Sequence, residues 1–121
     1  KKREEFAKSS FKNLGRVAAE FSRMTLYDKD FIEGIIDIEG WENFENAIKK
    51  GKGTVFLTGH LGNWELMAYS QSLRGFPSNI IARPLDNAIV ERFVQKQRSA
   101  AGNRVIAKKK RFKGYNAVLK K

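Results

Sequence analysis

Residues 3–24, REEFAKSSFKNLGRVAAEFSRM, place Phe11, Leu14, Ala18 and Phe21 at offsets 0, 3, 7 and 10. That is the stripe of an amphipathic helix, weakened a little by Gly15 in its interior. The aromatic and apolar residues of this helix are expected in the core, with a lipid-facing surface as the alternative. A second helix is predicted over WENFENAIKK, residues 41–50, where Trp41, Phe44 and Ile48 share a face. Its glutamates come early, its lysines late, and Gly51 supplies the stop.

The run TVFLT, residues 54–58, is continuous, β-branched and large, and is bounded by glycine. It has the pattern of a short strand buried on both faces. After a turn at Gly59–Gly62, WELMAYSQSL (64–73) reads as a helix, with Asn63 as its cap and Glu65 in its first turn. NIIA (79–82) is a predicted strand. NAIVERFVQKQRSA (87–100) is a predicted helix with Ile89, Phe93 and Lys96 along one side. RVIA (104–107) makes a third strand and RFKGYNAVLKK (111–121) a last helix. Helices alternating with short apolar strands imply β-α-β crossovers, so the fold class is α/β, a mainly parallel sheet flanked by helices. The 121 residues suffice for about one domain. Residues 1–37 form its helical part and 38–121 its α/β core. Ending in a helix with no strand to follow, the sequence is expected to be part of a larger domain.

Charge changes the picture next. The net charge is +11, from 24 Lys and Arg against 13 Asp and Glu. From Arg92 onward there is no acidic residue, while Lys108, Lys109, Lys110 and Arg111 form a basic run. Such a field attracts polyanions: nucleic acid, anionic lipid or an acidic protein. The run is equally readable as a solvated helix entry. No helix-turn-helix, zinc knuckle or aromatic strand motif accompanies it, so nucleic acid is not the expected partner. With no cysteine, disulfides, thiolate metal sites and thiol nucleophiles are excluded. No apolar run approaches the ~20 residues of a membrane span.

The chemistry centres on GTVFLTGHLGNWELMAYS, residues 53–70, which holds His60, the only histidine, and Glu65 five positions later. A strand that ends in a glycine-bounded turn and enters a helix is where open α/β sheets place their sites. On one regular helix, His60 and Glu65 would lie about 140° apart, but the intervening turn lets them converge. An unperturbed imidazole titrates near pH ~6.5, and a carboxylate on one ring nitrogen fixes its tautomer, so the pair suits a general base with its orienting acid. A hydrogen-bonded structural turn is the plainer reading, and spacing alone leaves both open. One His and one Glu fall short of a zinc ligand set, and neither a Walker loop nor G-x-G-x-x-G is present. No metal or cofactor is called for.

GKGTVFLTGHLGNWEL, IIARPLDNAIVERFVQKQR and GNRVI closely resemble the bacterial lipid A biosynthesis acyltransferase family (lauroyl and myristoyl transferases), a branch of the lysophospholipid acyltransferase superfamily. The resemblance runs from about Ile38 to the last residue and rests on H-x-x-x-x-E within G-H-x-G-N-W-E and on R-P-x-x-N after the next strand. It implies a glycerol-3-phosphate acyltransferase-like fold and acyl transfer from a thioester on acyl carrier protein to a hydroxyl of a glycolipid precursor at the cytoplasmic face of the inner membrane. Through it, His60 is the expected base and Glu65 its partner. Arg83, Asn63 and Gly62 are expected at the substrate, with capping as the competing role for Asn63. Lys108–Arg111 are expected to meet acyl carrier protein, acceptor phosphate or an anionic membrane surface. Family members are longer, with an N-terminal membrane anchor and a further strand bearing an acidic motif. An acyltransferase for another glycolipid, or a basic non-catalytic module binding nucleic acid or a membrane surface, are the alternatives.

Overall fold

The computed structural model describes residues 2–108, and the last expected helix, at 111–121, lies outside them. In chain order the elements are α1 (Lys2–Arg23), a 3-10 turn (Met24–Leu26), α2 (Lys29–Ile35), α3 (Trp41–Lys49), α4 (Trp64–Leu73), β1 (Asn79–Ala82), α5 (Ala88–Ser99) and β2 (Arg104–Ala107). β1 and β2 pair in parallel, Asn79 opposite Arg104 through Ala82 opposite Ala107, with α5 as the crossover. The result is a small, helix-rich α/β architecture carrying a two-stranded parallel sheet.

Local chemistry explains the helix starts. Asp28 accepts the Phe31 N–H at 2.8 Å and caps α2, a helix whose signal lies in that aspartate rather than in a long stripe. Asn63 caps α4 by accepting the Leu66 N–H at 3.0 Å. Asn87 caps α5, accepting from Ile89 and Val90.

The core forms where the end of α1, α2 and α4 meet. Met24, Ile32, Leu66 and Tyr69 are buried together, with Phe21, Tyr27, Ile36, Leu73 and Ala101 packed around them. The Tyr69 hydroxyl donates to the Tyr27 carbonyl at 3.1 Å, and burial raises its pKa above the ordinary 10.0. Asn103, itself buried, fastens the sheet. Its Oδ1 accepts from both the backbone N–H and the hydroxyl of Ser78, and its Nδ2 donates to the Ala68 carbonyl.

Two expectations are corrected. The run 54–58 is not a buried strand: Val55 is 82% and Leu57 100% exposed, and 54–58 takes part in no strand ladder among the described residues. A parallel strand needs neighbours on its edges and helices on its faces, and among the described residues β1 and β2 pair only with each other. Phe56 instead leans on Phe44, ring centroids 5.1 Å apart, beside Trp41 and Phe76. The α1 stripe is core only at its end. Val17 is buried and Phe21 meets Phe93 edge-on at 6.0 Å, whereas Phe11 is 75% and Leu14 58% exposed. At 22 residues α1 is about 33 Å long, and the body it packs on engages only its last turns. On α5, Val94, Gln97 and Arg98 face the rest of the molecule, and Ile89 lies in solvent. Gln97 donates to the Ser22 carbonyl and Arg98 binds Glu65, which together set the rotation of the helix.

Candidate active site

The H-x-x-x-x-E element straddles the junction of an open segment and a capped helix. Residues 53–62 carry no regular structure, and Gly62 adopts φ +59°, the left-handed region that a side chain would strain. His60 sits in this segment, exposed, with its ring edge-on to Trp64 at a centroid distance of 4.7 Å. Among the described residues neither ring nitrogen has a hydrogen-bond partner.

At Asn63 the chain becomes rigid. Besides capping α4, Asn63 donates from Nδ2 to the Glu20 carboxylate at 2.8 Å, which ties the motif to α1. The capping role expected as its competing reading is therefore real, and the hydrogen bond to Glu20 occupies a donor that a substrate would otherwise take.

Two residues on, Glu65 is engaged elsewhere. Its carboxylate is gripped by Arg98 of α5: Nε lies 3.1 and 3.0 Å from the two oxygens, and Nη2 2.5 Å from Oε1. The side chains are 18% and 12% exposed. These hydrogen bonds raise the Arg98 pKa above its ordinary value, against the opposing effect of burial. No hydrogen bond joins Glu65 to His60 among the described residues, so the two motif residues lie in one turn without being engaged.

Arg83 stands apart. It is largely exposed and forms a loose pair with Asp86 at 3.6 Å. The loop that carries it is held by Glu91, which accepts the Leu85 N–H at 2.8 Å and a bond from Gln95. Those two bonds hold the Glu91 carboxyl below its usual 4.5. Of the basic run, Lys108 is exposed, while Lys109, Lys110 and Arg111 lie outside the described residues. Beside Asn63 opens a groove of about 420 Å³, lined by Ile36, Ile38, Leu66 and Met67, with Asp37 and Glu39 as its charged members.

Compared with known families, all of residues 1–121 match the model of the bacterial lipid A biosynthesis acyltransferases. The chain belongs to that family. As a lipid A acyltransferase family member it is of acyltransferase type, and the motif residues expected from the resemblance sit within the matched span. A comparison with curated proteins gave no match. Among the described residues of this family member, no helix is long and apolar enough to cross a membrane.

The residue that sequence reasoning missed is Arg98. It lies 33 positions from Glu65, and only the packing of α4 against α5 brings them together. One weak signal was available: an arginine in the last turn of one helix and a glutamate in the first turn of another, each where the helix dipole favours its charge.

Proposed function

We propose that this protein moves a fatty acyl chain from a thioester on acyl carrier protein to a hydroxyl of a lipid A precursor at the cytoplasmic face of the inner membrane, with His60 as general base. The observation that carries the reading is the family match over residues 1–121. An exposed imidazole with no hydrogen-bond partner among the described residues supports the role given to His60.

In the reaction, a ring nitrogen of His60 takes the proton of the acceptor hydroxyl as its oxygen attacks the thioester carbonyl carbon. The C–S bond then breaks, the thiolate leaves with the carrier, and the imidazolium returns its proton to sulfur, leaving an ester and a thiol. No metal or cofactor enters this balance. Glu65 serves as orienting carboxylate once His60 turns toward it. An ionised carboxylate has about four acceptor sites, so the grip of Arg98 leaves capacity for one imidazole N–H. The glycines at 59 and 62 flank His60 and give the segment freedom for that turn. Arg83, exposed and only loosely paired, is suited to a phosphate of acceptor or donor. Gly62, with open space where a side chain would stand, permits close approach of a ligand to the backbone. The aliphatic groove beside Asn63 suits the acyl chain. The excess of positive charge favours acidic acyl carrier protein and an anionic membrane surface over a neutral partner, with Lys108 to Arg111 as contacts.

The test is acyl transfer from acyl carrier protein to a phosphorylated glucosamine lipid precursor, using full-length wild-type protein and His60→Ala. Removing a general base is expected to cost at least about 10²- to 10⁴-fold. Because His60 is exposed, the thermal midpoint should not move. Equal transfer by the two proteins would end the assignment.

A further inference from the structure

We propose that Arg98 is the positioning residue of the motif glutamate, fixing the Glu65 carboxylate so that His60, in the irregular segment before α4, has a fixed acceptor to turn toward. The inference rests on the acyl-transfer reading above and adds a residue outside both sequence motifs.

Geometry is the first argument. Arg98 uses two donors on both oxygens of one carboxylate. A fork of this kind fixes the plane of the carboxylate as well as its position, which a lysine cannot do. Burial is the second. With side chains only 18% and 12% exposed, water competes poorly for either partner, and the pair is unlike the loose surface contacts Lys29–Glu33 and Arg83–Asp86 at 3.8 and 3.6 Å. Placement is the third. Glu65 lies in the first turn of α4 and Arg98 in the last turn of α5, two rigid elements, whereas His60 lies in an irregular segment.

A further contrast separates Arg98 from a mere helix tie. Each of the two helices also has a tie of its own: Gln97 fastens α5 to the Ser22 carbonyl of α1, and Asn103, at the head of β2, holds the Ala68 carbonyl of α4. The packing thus has other supports, while the carboxylate has only Arg98 among the described residues. Deleting the guanidinium leaves Glu65 a mostly buried charge with no partner among the described residues to fix its plane.

Kinetics of the full-length protein decide it, comparing wild type, Arg98→Lys, Arg98→Met, Glu65→Gln and the double variant Glu65→Gln/Arg98→Met. The expected loss in kcat for Arg98→Met is about 10- to 100-fold, the usual cost of removing a supporting partner, with KM little changed. For Arg98→Lys it is about tenfold, the low end of that range. In the Glu65→Gln background the Arg98→Met change should cost nothing more, because Arg98 acts through the carboxylate. A lower melting temperature with unchanged kcat per folded molecule would overturn the proposal, as would multiplicative losses in the double variant. Should Arg98→Met not fold, Arg98→Lys decides alone, and a wild-type kcat there overturns the need for the fork. Wild-type protein without transfer, or His60→Ala that retains it, defeats the acyl-transfer reading and Arg98's role with it, an outcome separable from the others by the His60 control.

Discussion

The two ends of the H-x-x-x-x-E element are built from opposite kinds of structure. From Asn63 onward the chain is capped, tied to α1 through Glu20, packed through Leu66 and Tyr69, and clamped at Glu65 by Arg98. From Gly53 to Gly62 it is irregular, with Val55, Leu57, His60 and Leu61 in solvent. A motif written as one string is thus a clamped carboxylate joined to an exposed imidazole in an irregular segment. The difference teaches that the precision of such a site is borne by the helix, while the approach to substrate is left to the segment before it.

The comparison makes unequal demands on stability. Ile32→Ala empties a fully buried position of the cluster on which α4 rests, and should cost about 2–5 kcal/mol in chemical denaturation. A loss well under 1 kcal/mol would mean that the rigid half is not held from below as described. Asn63→Ala removes the cap at the boundary itself and should cost about 1–2 kcal/mol. Asn63→Asp sharpens that test, since aspartate keeps the cap but sets a carboxylate against Glu20. It should be less stable than wild type, and its loss should shrink when Glu20→Gln removes the opposing carboxylate. Smallest of all is Leu57→Ser in the open segment, expected within about 0.5 kcal/mol of wild type because the side chain is fully exposed. A loss there as large as that of Ile32→Ala would erase the distinction between the two halves.

How much of this was legible depended on the range of the information. α4 was readable to the residue, because Asn63, Glu65 and the apolar run after them are local signals. The strands at 79–82 and 104–107 were likewise readable, and so was their parallel pairing, since a helix lies between them. The run at 54–58 has the same composition, yet a strand exists only with a partner, and partnership is not encoded within five residues. α2 and the core residues Met24 and Ile32 escaped notice because a seven-residue helix shows less than two full turns of periodicity. For the candidate site, spacing singled out His60 and Glu65 without deciding between a catalytic pair and a structural turn, and it did not show what holds the carboxylate. That hold comes from Arg98, 33 positions away, and from helix packing that no local pattern records.

Asn103 carries a consequence for how the chain finds its structure. Its amide bonds the backbone and the hydroxyl of Ser78, the residues standing opposite one another one step before the paired run from Asn79 and Arg104 begins. Were the two strands to meet one position out of step, every side chain of the slipped strand would change face and the amide would lose its partners on Ser78 together. The first rung therefore favours this register over a pairing slipped by one residue.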